Sequence, residues 1–191
     1  MKCRLVCISG IIKPGPGKPR GRVINMKFDL KAMMQRIDKK PLIIAIAIPL
    51  AVGGLSSLLT MGSMKSFGQL RQPPLTPPDW AFPVVWGALY VIMGTASWLV
   101  YTASATAQMR YTALIAYGIM LVFNFVWPLL FFRLGIRLVA FIWLLLLFGL
   151  VLLTASLFYQ IRKPAGLLFI PYLIWTAFAG YLNFGVYWLN R

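Results

Sequence analysis

The chain has no histidine and no glutamate, and its only acids are Asp29, Asp38 and Asp79 among 191 residues. These absences exclude much chemistry. A Ser-His-Asp triad, an HExxH zinc site, a His-ligated haem and a paired-carboxylate hydrolase each require residues the sequence lacks. A proton-driven carrier ordinarily places Asp, Glu or His within its spans as a relay, and here all three acids lie outside the longest apolar runs. Cysteine is almost as scarce. Cys3 and Cys7 have no second pair or histidine beside them, so they form neither a disulfide framework nor a metal site. No lipobox or prenyl motif surrounds them, and they read as incidental. No metal is expected.

Charge is also sparse. Only 12% of residues are charged, against roughly 25% in soluble domains, while 60% are hydrophobic and 15% aromatic. With a mean hydropathy of +0.80, most of the chain has lipid as its solvent. The uncharged runs are 41–64, 80–109, 111–132, 138–161 and 164–190, the shortest having 22 residues. At about 1.5 Å per residue, a run of about 20 covers the roughly 30 Å hydrocarbon thickness of a bilayer. A β-barrel is disfavoured, because its strands would alternate polar and apolar residues in stretches of about ten. The expected fold is all-α: an integral, multi-pass membrane bundle of five transmembrane helices near 41–64, 82–104, 109–132, 137–160 and 165–189. The bundle domain covers 41–191, and the membrane is the cell membrane if the source is bacterial. Short connections make successive helices antiparallel neighbours, and the lipid bilayer is the first partner.

The net charge of +16 brings nucleic acid to mind, but eleven of the nineteen Lys and Arg fall in the first 40 positions. This is a basic tail rather than a basic domain, and nucleic acid is not an expected partner. Residues 1–40 include Pro14, Gly15, Pro16, Gly17 and Pro19 and cannot bury enough apolar area to offset ordering entropy, so the tail is expected to be largely disordered. Within it, Phe28, Leu30, Met33, Met34 and Ile37 can share one side of a short amphipathic helix over 27–38, lying on the membrane. Two readings stand for residues 1–25. They are a targeting extension, since acids are absent there, or sequence annexed upstream of a true initiator at Met26; the second is preferred. Basic residues in the short loops, eight against five, place the N-terminal side in the cytoplasm.

One connection is long. From Lys65 to Phe82 it holds Pro73, Pro74, Pro77 and Pro78, then Asp79 and Trp80. Proline fixes φ and turns the preceding residue away from helix, which makes the segment stiff and partly extended, suited to fold over the bundle end as a lid. Phe67 and Trp80 flank the prolines.

Helical spacing aligns Phe82, Trp86, Tyr90, Met93 and Ser97 on one face of the second span. The third span places Tyr117, Asn124 and Phe131 seven apart, with Trp127 three beyond the Asn; the fifth aligns Pro171, Trp175, Ala179, Asn183, Val186 and Asn190. Singly, the asparagines read as interhelical hydrogen-bonding residues, worth about 0.6 kcal/mol each, and the aromatics as core filling or interfacial belts. As a set, Trp86, Tyr90, Trp127 and Trp175, with small Ala179 beside them, suit a cavity for a flat aromatic ligand under the lid. Arg71 or Lys65 could there meet an acidic substituent.

Three blocks, QPPLTPPDWAFPVVWGALYVIMG, NFVWPLLFF and PYLIWTAFAGYLNFGVYWLN, resemble the signatures of the TspO/MBR family, the tryptophan-rich sensory and translocator proteins. The resemblance runs in order from about Pro41 to Asn190, and the tail has no counterpart in it. It implies a five-helix bundle whose first long loop caps a cavity for porphyrins and synthetic aromatic ligands, often in a homodimer. Porphyrin or haem is then the expected ligand, and no cofactor is required. By the same resemblance, Trp86 and Trp175 line the pocket and are the candidates for light-dependent porphyrin breakdown. Ala179 corresponds to the family's small pocket residue, Asn124 and Trp127 to its third-helix motif, and Asn183 to the Asn of its fifth-helix LN motif. Together with Phe67, Phe82 and Tyr90 from the reading of the faces and the lid, the expected ligand-binding set is Phe67, Phe82, Trp86, Tyr90, Asn124, Trp127, Trp175, Ala179 and Asn183. Where the family often has Trp-Tyr, Lys-Pro and a Trp before the prolines, this chain has Ser66-Phe67, Gln72-Pro73 and Leu75, so the lid lacks a hydroxyl, a charge and an indole.

A permissive sterol pattern matches twice, at Leu182-Tyr187-Arg191 and Leu157-Tyr159-Arg162. No GxxxG lies in the spans, but Gly53-xxx-Ser57 and Thr176-xxx-Gly180 offer small-residue seams for packing or dimerisation. The expected function is a receptor or sensor binding a planar tetrapyrrole, in tetrapyrrole homeostasis or stress response. The alternatives are a light-dependent porphyrin-degrading enzyme and a transporter of porphyrin or sterol-like ligands.

Overall fold

The computed structural model describes residues 39–63 and 68–191. The expected amphipathic helix at 27–38, the tail around it, Lys65 and Phe67 lie outside the described residues. The described chain is helical: α1 (Lys39–Thr60) with a 3₁₀ turn at Met61–Ser63, α2 (Ala81–Tyr101), α3 (Ala107–Pro128) with a π turn at Leu129–Arg133, α4 (Arg137–Ile161), α5 (Lys163–Leu167) and α6 (Ile170–Leu189). Five stretches of the described residues are long and apolar enough to cross a bilayer: Lys39–Ser63, Ala81–Tyr101, Ala107–Arg133, Arg137–Ile161 and Lys163–Leu189. The protein is an integral, multi-pass membrane protein, and helices satisfy the requirement that each backbone group in lipid be bonded internally.

Local chemistry sets the helix ends. α2 closes at Tyr101, sooner than residue 104, because the Thr102 hydroxyl turns back to the Trp98 carbonyl (2.9 Å) and the Arg110 guanidinium reaches the Tyr101 carbonyl (3.2 Å). These bonds occupy the orphan carbonyls of the last turn. α3 begins at Ala107 because extended Thr106 caps it, its hydroxyl oxygen accepting the Met109 N–H at 3.3 Å. Pro128 supplies no N–H at the other end of α3. Beyond it the ladder widens to a π turn, with the Leu134 N–H donating to the Leu129 carbonyl at 2.9 Å. Gly135, at φ 66°, then reverses the chain into α4, a conformation glycine adopts without penalty. The last crossing is interrupted at 168–169, just before Pro171, which lacks an N–H and restricts Ile170.

α1 packs between α2 and α3, α3 against α4, and α4 against α5 and α6. Close approach of α1 and α2 depends on two glycines: a Cβ on Gly94 would stand 2.5 Å from the Ile46 Cα, and one on Gly53 would enter the Tyr90 ring. The Ser56 hydroxyl donates to the Phe125 carbonyl (3.0 Å), joining α1 to α3. Trp143 stacks on Phe123 at 4.2 Å and donates its indole N–H to the Phe123 carbonyl at 2.9 Å, joining α4 to α3. The backbone of α6 does not pack closely on that of α2 or α3, and aromatic side chains bridge the space between α2 and α6.

Candidate functional site

Rings from three crossings converge between α2, α3 and α6. Trp86 stacks on Tyr90 (5.7 Å between centroids) and also meets Trp127 (6.2 Å) and Tyr172 (6.1 Å). One turn before it, Phe82 meets Trp175 edge-on at 6.1 Å. Trp127 stacks on Phe131 at 5.7 Å. Edge-to-face and offset pairs of this kind contribute about 0.5–1.5 kcal/mol each beyond area burial. Of the indoles, Trp86 and Trp127 face each other between α2 and α3, and Trp175 packs on Phe82 and Phe178.

Beneath the rings run two polar connections. The Tyr90 hydroxyl donates to Asn124 Oδ1 (2.9 Å), and Asn124 Nδ2 donates to the Tyr172 hydroxyl (2.6 Å), linking α2, α3 and α6 through one amide. The Trp127 indole N–H donates to Asn183 Oδ1 (3.3 Å), and Asn183 Nδ2 donates to the Arg137 carbonyl (2.9 Å), linking α3, α6 and the start of α4. Both asparagines are buried, where an unbonded amide would be costly. The Trp175 Nε1 is buried with no hydrogen-bond partner among the described residues.

The proline segment closes over this end and is fastened to α6. Asn190 bonds both the N–H and the carbonyl of Arg71, at 2.9 and 2.8 Å. Tyr181 donates its hydroxyl to the Pro74 carbonyl at 2.9 Å. Pro73 is buried on Gly185, where a Cβ would come within 2.7 Å of the proline ring. The Thr76 hydroxyl bonds the Pro73 carbonyl at 2.7 Å, and Leu75 takes φ 68°, a left-handed conformation rare for a non-glycine residue.

Thr76, Phe82, Trp127, Phe131, Phe132, Ala179, Leu182, Asn183 and Val186 enclose a cavity of about 20 Å³ under this segment. That is space for about one water, smaller than the flat-ligand cavity the sequence leads one to expect, because the rings themselves occupy the centre. Of the expected site residues, Phe82, Trp127, Ala179 and Asn183 line the cavity. Trp86, Tyr90 and Asn124 form the cluster beside it, and Trp175 joins through Phe82. Phe67 lies outside the described residues.

Sequence reasoning missed Thr76, Phe132 and Leu182 as lining residues and Tyr172 as the ring on α6 nearest Trp86. Phe131 and Val186 were aligned with the interior faces but not assigned to the site. Tyr172 carried a signal, since Thr176, Ala179 and Asn183 repeat its face at helical spacing. A second hollow of about 360 Å³ opens on the lipid side between α4 and α6, lined by Phe141, Leu144, Leu145, Phe148 and Gly180 among others.

The chain matches the family model described as TspO/MBR family over residues 45–189. It is 35% identical over 150 residues to the tryptophan-rich protein TspO of Chlorobaculum tepidum, covering 78% of this chain and 95% of that protein. It is 34% identical over 149 residues to the translocator protein of Bos taurus, covering 75% and 86%. With the tryptophan-rich sensory protein of Cereibacter sphaeroides it shares 35% identity over 124 residues, covering 65% and 76%.

Proposed function

The chain belongs to the TspO/MBR family, and from that premise we propose that it binds a planar tetrapyrrole, a porphyrin or haem, among the rings between α2, α3 and α6, acting as a membrane receptor or sensor in tetrapyrrole homeostasis or stress response. One observation carries this reading: the backbones of α2 and α6 do not pack closely, and Phe82 with Trp175 and Trp86 with Tyr172 fill the space between them. A flat conjugated guest replaces ring–ring contacts with ring–guest contacts of the same kind. Small-molecule sites ordinarily measure about 300–1,000 Å³, so binding proceeds by induced fit. Phe82 and Trp86 turn aside as the proline segment lifts, while the Asn124 and Asn183 bonds keep the helices in place. The Trp175 N–H supplies a free donor to the guest.

Titrating the purified protein with protoporphyrin while following tryptophan fluorescence tests the proposal. The expected result is saturable quenching in the wild type and its loss in Ala179→Leu, whose added methylenes overfill the cavity, with thermal stability retained. Linear, non-saturating quenching in the wild type overturns it. A second reading, light-dependent breakdown of bound porphyrin, is favoured by the contacts of Trp86 with Tyr90, Trp127 and Tyr172, an array of oxidisable rings. Illumination that bleaches bound porphyrin no faster than in the Trp86→Phe and Trp175→Phe variants removes it.

A further inference from the structure

The hollow of about 360 Å³ between α4 and α6 lies away from the ring cluster and opens to lipid. Thr176 and Gly180, both buried, form its floor with Leu144. A Cβ on Gly180 would meet only the Leu144 side chain, at 4.0 Å, so the missing side chain is what leaves the space. Phe141 and Phe184, 5.2 Å apart, stand at one end and Phe148 toward the other. Phe141 lies four positions and Phe148 eleven positions beyond Arg137, the charged start of α4. At about 1.5 Å per residue, the hollow runs from about 6 to about 16 Å beyond that boundary, which is about the middle of a hydrocarbon layer roughly 30 Å thick. It is a furrow one leaflet deep.

The bilayer is the medium continuous with this furrow, and the chemistry of the walls selects what part of a lipid enters it. The two hydroxyls that line it are already used: Thr176 donates to the Tyr172 carbonyl at 2.7 Å and Tyr181 to the Pro74 carbonyl at 2.9 Å. No other lining side chain carries a polar atom, so the occupant needs no hydrogen-bonding group. α4 and α6 pack directly on each other, and packed helices stand about 8–10 Å apart, which leaves a furrow about one hydrocarbon chain wide and too narrow for a flat ring system. A hollow left unfilled in lipid forfeits the dispersion contacts of its walls, so a chain that fits is held more firmly than its neighbours in the bilayer. The sterol pattern Leu182-Tyr187-Arg191 does not describe this furrow, because Leu182 faces the cavity under the lid and the Arg191 guanidinium lies over Trp188.

Tyr181 belongs to both structures. Its ring walls the furrow, and its hydroxyl fastens the lid at Pro74. We propose that the furrow seats one unbranched acyl chain of a leaflet lipid, and that the seated chain backs the Tyr181 ring and so holds the lid closed. This site is separate from the ring cluster and does not depend on what the cluster binds.

The test places the full-length protein in phosphatidylcholine nanodiscs doped with a lipid carrying a diazirine at mid-chain, and maps the photoadducts by mass spectrometry. Label is expected to concentrate on 141–148 and 176–184 over the lipid-facing residues of α1. Gly180→Leu and Ala177→Leu fill the furrow and lose that concentration, whereas Gly118→Leu, on the open surface of α3, retains it. Amide exchange over 68–76 in the wild type is expected to be about two- to fivefold faster in diphytanoyl lipid, whose methyl branches do not fit, than in linear-chain lipid. In Tyr181→Phe the two lipids give one rate while the label stays in place. Even labelling of all lipid-facing helices, or concentration retained by both filled variants, overturns the site. Displacement of the label by added cholesterol assigns the furrow to a sterol, and cross-links to a second copy of the chain assign it to a dimer; either overturns the acyl-chain reading. Equal lid exchange of the wild type in the two lipids overturns the coupling.

Discussion

Asn190 grips Arg71 by both halves of its main chain, its Oδ1 accepting the N–H at 2.9 Å and its Nδ2 donating to the carbonyl at 2.8 Å. A side-chain amide thereby takes the place of a strand partner and holds a segment distant in sequence onto the end of α6. Both bonds are exposed, so each contributes near the lower end of the usual net range, about 0.5 kcal/mol. Asn190→Ala is expected to raise the opening equilibrium of the lid about fivefold. Amide hydrogen exchange over 68–76 should accelerate by that factor with the helices unaffected. Unchanged exchange at Arg71 would mean that Tyr181 and the Pro73 contact hold the lid alone.

Gly185 is the seat of Pro73, with a Cβ there 2.7 Å from the proline ring. Alanine is favoured over glycine inside a helix by about 1 kcal/mol, so Gly185→Ala sets a helix gain against a lid displaced from its seat. The expected outcome is a bundle at least as thermostable as wild type, with a lid that exchanges and is cleaved by protease more readily. A loss of thermal stability with a protected lid would show that the helix moved instead of the proline.

The crossings were legible because lipid imposes a long uncharged run wherever the chain spans it, and five such runs stand out between charges. The interior faces were legible for the same periodic reason, and Trp86, Tyr90, Asn124 and Asn183 point inward in the structure as their spacing implied. What spacing does not carry is where a helix departs from 3.6 residues per turn. The π turn after Pro128 rotates Phe132 to the cavity wall, and Thr76 reaches that wall from a loop with no period at all. The lid's fastening was illegible for a different reason. Tyr181 and Gly185 bear on Pro74 and Pro73 from the α6 face turned away from the ring cluster, and only the path of the loop reveals what they meet. The size of the cavity depends on ring rotamers, which no residue count reports.

Adjacent glycines in α1 separate packing from helix propensity. Gly53 lies against the Tyr90 ring, and a Cβ there would overlap it, whereas a Cβ on Gly54 meets nothing within 4 Å. Overpacking costs about 1–3 kcal/mol. Gly53→Ala is therefore expected to destabilise by about that amount and to push Tyr90 off Asn124, while Gly54→Ala is neutral or stabilising. Thermal unfolding of both variants in detergent checks this. Equal behaviour of the pair would mean that α1 and α2 approach less closely than the Tyr90 contact requires.

Asn124 accepts from Tyr90 and donates to Tyr172, so one amide completes two hydroxyls from two other crossings. Interhelical hydrogen bonds in membranes contribute about 0.6 kcal/mol on average and up to about 1.7, because the unfolded chain in lipid also finds partners. Tyr90→Phe removes one bond and leaves Oδ1 unpaired at a buried position, so a cost near the average is expected. Asn124→Leu strands both hydroxyls and is expected to cost about twice as much. The bond itself is isolated by the cycle: once Asn124 is leucine, Tyr90→Phe deletes a hydroxyl that no longer has a partner and should cost nothing or stabilise. Unfolding free energies of the two single variants and the double variant measure this coupling. Strict additivity would show that the Tyr90–Asn124 bond contributes no net energy, leaving the junction to the Asn124–Tyr172 bond and the ring packing around Trp86.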